Sequence, residues 1–143
     1  MQQLLKQKLH DFIRNNNPDI LVALEADKSV SKFIDAKVDT VKFLLEDLER
    51  ENKPAYIVEK LCLDELTKEF KHSKFNYIIN ILEEDFEFAF YSLEKSGLLL
   101  YEVANIINQC EEAFQAFDFN EETEDYRQLR YTVTGIINEY LSK

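Results

Sequence analysis

Glu69-Phe70-Lys71-His72 has the Glu-x-x-His spacing of di-iron helix bundles. Such a site takes two of these pairs and two further carboxylates. The only other histidine, His10, has Gln7 three residues before it, so the set is incomplete. His72 is more simply a partly exposed histidine at a helix end, where its positive form is favoured. Asp118, Asn120 and Glu122 open like a calcium loop. Thr123 stands at the sixth position, where glycine is needed, and Leu129 at the twelfth, where the bidentate glutamate belongs. Solvated loop acids account for them better. Glu83-Glu84-Asp85 and Glu121-Glu122 have the groups for acid–base work but no visible pocket. Cys62, Cys110 or Ser73 would each need a histidine beside it to act as a nucleophile. His72 adjoins Ser73, but adjacent residues do not face each other on a helix. Two isolated glycines cannot build a phosphate loop, and there is no Gly-x-Ser-x-Gly. The residues point away from an enzyme and imply no cofactor, no metal and no small-molecule ligand.

Charge limits the partners. Between Phe75 and Tyr126 stand thirteen acidic residues and one basic residue, Lys95, while the rest of the chain is nearly neutral. A net charge of −11 opposes binding to nucleic-acid backbones and to anionic membranes. Lys28, Lys32, Lys37 and Lys42 alternate with Asp35, Asp39 and Glu46, a solvated helix face rather than a basic patch. No apolar run approaches the ~18 residues a membrane span requires. The N-terminal residues lack a signal-peptide core, so a cytoplasmic location is expected. Cys62 and Cys110 sit among apolar helical positions and read as reduced core residues.

The elements that would carry these groups are helices. Only two glycines and two prolines occur, against about seventeen at average usage, and no Asn-Gly or Asp-Gly turn is present. At 143 residues one domain with a real core is expected. Residues 3–14 put Leu5, Leu9, Phe12 and Ile13 on one face, and Asn17 can cap a short helix over 18–26 with Pro18 at its first position. The next helix runs from about Ser29 to Glu51, with Val30, Ile34, Val38, Val41, Leu45 and Leu48 inward. Another, from about Pro54 to Phe70, carries Val58, Leu61, Cys62, Leu66 and Phe70. A helix at 98–117 turns Leu99, Val103, Ile106, Cys110, Phe114 and Phe117 inward, and Gly97 suits the left-handed end of the helix before it. The last helix, about 122–141, uses Tyr126, Leu129, Val133, Ile136, Ile137 and Tyr140. Gly135 inside it implies a close helix–helix approach.

The segment at 74–95, capped by Ser73, is the unusual one. One flank carries Phe75, Ile78, Ile79, Leu82, Phe86 and Phe90; the other carries Tyr77, Ile81, Glu84, Phe88 and Tyr91. A surface helix has one apolar stripe and this one has nearly two. Either it runs through the middle of the bundle or its second flank docks a partner. Asp85 falls on the apolar side, where an unpaired charge is costly. A helix break near Glu84-Asp85, with Asp85 capping a new segment, would relieve it. Phe86 to Phe90 alternates like a strand, but its flanks are helical.

Several stretches together resemble an uncharacterised all-helical domain-of-unknown-function family of small Bacteroidetes-type bacterial proteins. They are Asn16-Asn17-Pro18-Asp19, Phe33-Ile34, Ser73-Lys74-Phe75, Glu84-Asp85-Phe86, Asp125-Tyr126 and Val133-Thr134-Gly135-Ile136-Ile137. The family often has Phe where this chain has His72, which weakens a functional role for that histidine. The resemblance covers most of the chain. It implies an all-helical domain without assigned activity or catalytic residues, in a family associated with mobile elements.

The expectation is therefore an all-α, multihelical bundle of about six to seven helices over residues 1–143. The expected function is that of a non-enzymatic interaction or accessory protein, with a protein partner or self-association. Its contact surface would combine Tyr77, Glu84, Phe88 and Tyr91. A second hypothesis is an acidic nucleic-acid mimic that occupies a DNA-binding protein's basic site; it needs the carboxylates on one continuous face. A third is a small hydrolase or metal enzyme using Glu69 and His72.

Overall fold

Leu5, Leu9 and Ile13 recur at helical spacing and all three are fully buried, which sets the inner face of α1 (Gln2–Asn16). The structure, a computed structural model, describes every residue from Met1 to Lys143. Helix accounts for 79% of the chain and no strand forms, so the Phe86–Phe90 alternation is not a strand. The chain folds as two compact units, Met1–Lys71 and His72–Lys143, each with its own apolar cluster.

In the first unit, α1 packs against α2 (Pro18–Ala26), α3 (Val30–Asp39) and α5 (Ala55–Thr67), and α4 (Lys42–Arg50) packs against α5. A short 3-10 turn, Lys68–Phe70, follows. Ile34, Val38, Val41, Leu45, Leu48, Val58, Cys62, Leu66 and Phe70 fill the core between them. Leu61, expected inward, is 41% exposed, because Val58, Cys62 and Leu66 already hold the buried side of α5. Asn17 occupies the cap position of α2 through its backbone carbonyl, which accepts from Ile20 N–H at 3.0 Å, and not through its side chain. The Asn17 side chain instead accepts from Asn16 Nδ2 at 2.8 Å, and that amide also donates to the Phe70 carbonyl at 2.6 Å. This ties the end of α1 to the 3-10 turn.

The second unit holds α6 (Lys74–Asp85), α7 (Glu87–Ser96), α8 (Leu99–Gln109), α9 (Glu111–Ala116) and α10 (Arg127–Leu141). Helix α6 packs against α7 and α8, and α10 packs against α8 and α9. Ile78, Ile81, Leu82, Phe90, Val103, Ile106, Cys110, Phe114, Leu129, Val133 and Ile137 form the core. Tyr126, expected inward, precedes α10 and is 49% exposed.

The chain has ten α-helices rather than six to seven, because three long amphipathic stretches each break once. At Thr40-Val41 the hydrogen bonds tighten to the third residue back, and Thr40 Oγ donates to the Lys37 carbonyl at 2.6 Å. At Phe86 the backbone leaves helical dihedrals (φ −135°, ψ 47°). At Cys110 one N–H is shared between the Ile106 and Ile107 carbonyls, at 3.0 and 3.1 Å. The buried face continues through the first and third joints, since Val38, Val41, Ile106, Cys110 and Phe114 are all in a core.

Gly97 ends α7 with φ 78°, and Leu98 N–H closes the turn on the Leu93 carbonyl at 3.0 Å. Gly135 overturns the expectation of a close helix approach: a Cβ placed there would meet nothing within 4 Å.

Candidate functional site

Ser73 fixes the start of α6, its Oγ accepting from Asn76 N–H at 3.0 Å. One turn into that helix, Tyr77 turns inward. Its ring meets Phe114 and Phe119 edge-on, with centroids 5.8 and 5.2 Å away. Its hydroxyl oxygen is buried and has no hydrogen-bond partner within the protein. Burial pushes the Tyr77 hydroxyl above its ordinary pKa; nearby Arg130 opposes this, while Cys110, Asp125 and Glu124 add to it. Ile81, one turn further, is fully buried. Both belong to the unit's own packing, not to an outer face.

The end of α6 is held by α10. Arg130 reaches Glu84 at 2.8 Å and Asp85 at 3.1 Å. Asp85 is the last residue of α6, and Phe86 rather than Asp85 occupies the cap position of α7. Asp85, on the apolar side of the wheel, is nevertheless exposed at the end of α6, so its charge is hydrated as well as paired with Arg130. Nothing in the spacing of the sequence pointed to residue 130, which lies 45 positions further on.

Beyond Phe86, the aromatic flank emerges. Phe88 is 88% exposed and Tyr91 60% exposed, one turn apart on α7, while Phe90 faces the core. The Tyr91 ring lies edge-on to Phe90 at 5.6 Å. Glu87, Glu94 and Lys95 are also exposed. Of the four residues proposed from the sequence, the structure places Glu84, Phe88 and Tyr91 at the surface and Tyr77 inside. Tyr101 and Tyr131, at 64% and 69% exposure, were not singled out although both fall off the buried positions of their helices.

Other acids of the window have their own partners. Lys74 holds Glu111 at 3.2 Å, Glu102 accepts a hydrogen bond from the Tyr140 hydroxyl, and His72 places Nδ1 3.4 Å from Glu124 and Nε2 3.9 Å from Glu121. Glu69 pairs with Lys37. The loop at 118–126 is tied by Asn120 and Thr123, whose side chains both bond the Asp118 carbonyl, at 2.7 and 2.9 Å. No group of three or more His, Cys, Asp or Glu side chains is arranged to hold a metal ion. Both cysteines are free and buried; burial pushes the Cys110 thiol up to about 11 and, with help from Glu49, raises Cys62. Raised thiols are poor nucleophiles. In the first unit an open groove of about 690 Å3 is lined by Gln3, Gln7, His10 and Ser31, with Lys6 and Asp35 paired at 3.1 Å. No helix is long and apolar enough to cross a membrane.

No match was found among curated proteins, and none among solved structures. A family model does match, from residue 4 to residue 143, nearly the whole chain. The chain belongs to the family described as Domain of unknown function (DUF1896).

Proposed function

We propose that this is a non-enzymatic interaction or accessory protein whose contact surface is centred on Phe88 and Tyr91 of α7. The observation that carries this is the exposure of two large aromatics one turn apart, at 88% and 60%, on a helix whose other side is in the core. Large aromatic side chains dominate interface energetics, because they bury much apolar area and lose little rotamer freedom. Glu84, at the end of α6, is exposed and paired with Arg130. Tyr77 supports the second unit from within and is not part of the contact.

The acids weigh against a nucleic-acid mimic. They are spread over α6, α7, α8, α9 and the loop before α10, and Arg130, Lys74 and His72 each engage some of them. Glu69 and His72 have separate partners, which weighs against a metal enzyme built on that pair. A cytoplasmic location, a Bacteroidetes-type bacterial origin and a link with mobile elements belong to the same proposal.

The test is affinity capture from the native cell with mass spectrometry, using the unaltered chain and a Phe88→Ala/Tyr91→Ala variant. Loss of recovered protein in the variant is expected. Unchanged recovery would move the contact away from α7.

A further inference from the structure

We infer that the chain is one five-helix module built twice in tandem, as Met1–Lys71 and His72–Lys143. Each unit runs in the same order: a long helix, a short one, a helix interrupted once, and a long one. In the first unit these are α1, α2, α3 with α4, and α5; in the second they are α6, α7, α8 with α9, and α10.

The turns agree in detail. Asn17 and Phe86 form the joint after the first helix with nearly the same dihedrals, φ −135° for both and ψ 56° and 47°, and each donates its N–H to the fourth residue back, Ile13 and Leu82. Lys28 and Gly97 end the second helix at φ 56° and 78°. The next N–H, of Ser29 and of Leu98, closes the turn on Leu24 and Leu93 at 2.9 and 3.0 Å. Val41 and Cys110 interrupt the third helix at φ −103° and −93°, each donating to the third residue back, Val38 and Ile107, at 3.1 Å. Every one of these pairs stands 69 positions apart. Asn52 and Asp118 end the fourth helix at φ 57° and 51° in the same kind of turn, three positions early because α9 has 6 residues and α4 has 9. Positive φ is uncommon outside glycine, and all four instances in the chain fall at matching helix ends, two to a unit.

The cores follow the same shift. Leu21 is the one buried residue of α2, and its counterpart Phe90 is the one buried residue of α7. Ile13, Ile34, Val38 and Leu45 correspond to Leu82, Val103, Ile107 and Phe114, all buried. In the last helix Val58, Cys62 and Leu66 correspond to Leu129, Val133 and Ile137 with a shift of 71. The packing repeats as well: first helix on second and third, second on third, fourth on fifth. The units differ where the fifth helix settles, α5 against α1 and α10 against α8, after connections of different length.

A shared 3.6-residue period makes a few matches between any two amphipathic helices common. It does not make three unlike turns, and the core positions between them, agree at a single shift. The sequence hides the repeat: between residues 9 and 48 the only identities at that shift are Leu24 with Leu93 and Glu25 with Glu94. What the module requires recurs in both copies. Phe88 and Tyr91 stand where the first unit has Asp19 and Val22, so the fold itself does not demand the exposed aromatics of α7.

The test is a graft within the full chain. Residues 17–29 replace the equally long stretch 86–98, which brings Leu21 to the place of Phe90 and Lys28 to that of Gly97. A control graft slid by two residues, 19–31, brings Ala23 to the core place and carries Lys28 off the turn. Hydrogen exchange read by mass spectrometry follows both proteins, with the amides of α1 and α5 as internal reference. In the first graft the amides of α6, α8 and α10 should keep their protection to within about tenfold, the effect of a smaller core residue. In the control they should lose it. Any other pattern, loss in both or retention in both included, would overturn the repeat.

Discussion

Replacing Tyr77 by phenylalanine should stabilise this protein. The ring is retained, so the edge contacts with Phe114 and Phe119 at 5.8 and 5.2 Å persist. What is removed is a buried hydroxyl with no partner within the protein. Leaving such a group unsatisfied costs about 1–3 kcal/mol. The residue is only half-buried and a guanidinium is nearby, so a gain at the lower end, about 1 kcal/mol, is expected. In a chain of this size that raises Tm by about 2–4 °C. Urea unfolding at neutral pH should show a higher midpoint with an unchanged slope. Alkaline pH supplies a second readout. Folding raises the Tyr77 pKa, first through desolvation, so the folded state holds the phenolic proton more tightly. That contribution is fully present below the ordinary value of about 10 and is lost as pH rises through the folded value. Wild-type stability should therefore fall there more steeply than that of the variant, and the gap should widen. Cys62, Cys110 and Tyr140 also have raised pKa values, but they are common to both proteins and cancel in the difference. A variant that is less stable at neutral pH, with no widening at high pH, would mean the hydroxyl is satisfied, for instance by an internal water.

Two glycines should respond in opposite directions. Gly135→Ala should stabilise by about 1 kcal/mol, because the position is helical and a Cβ meets nothing within 4 Å. Gly97→Ala should destabilise by about 1–2 kcal/mol, because φ there is 78°; urea midpoints read both. Cys110→Ala should be destabilising at neutral pH, with a deficit that shrinks between pH 9 and 11. The wild-type thiol, held at about 11 rather than 9.0, withdraws on the order of 2–3 kcal/mol of stability across that window. Stability curves at stepped pH check it.

Much of the helical order was legible because apolar periodicity survives small interruptions. The inward positions of the 29–51 stretch stand as expected, with Val30 packed at the edge of the core and the other five buried in it. The expected single helix nevertheless breaks at Thr40-Val41. A tightened turn of one or two residues changes hydrogen bonding while barely shifting the buried face, so composition and spacing do not register it. Cys110 behaves the same way between α8 and α9. Leu61 and Gly135 failed for a different reason. An apolar residue beside a buried stripe, or a glycine inside a helix, says what could pack there, and only the neighbouring elements decide whether anything does.

The two-flanked stretch at 74–95 shows where such a reading stops. On one wheel it reads as a central helix or as a helix with a free second flank, with a break near Glu84-Asp85 to relieve Asp85. The break at Phe86 gives each half its own answer. In α6 both flanks are used: Ile78 and Leu82 on one side and Ile81 on the other are fully buried, and Tyr77 packs among Phe114 and Phe119. In α7 only Phe90 is buried, and Phe88 and Tyr91 stay in solvent. At the joint Glu84 and Asp85 are both exposed and Arg130 of α10 pairs with each, while Glu87 stands in solvent. An apolar flank that is half consumed by its own core leaves a short exposed surface at Phe88 and Tyr91.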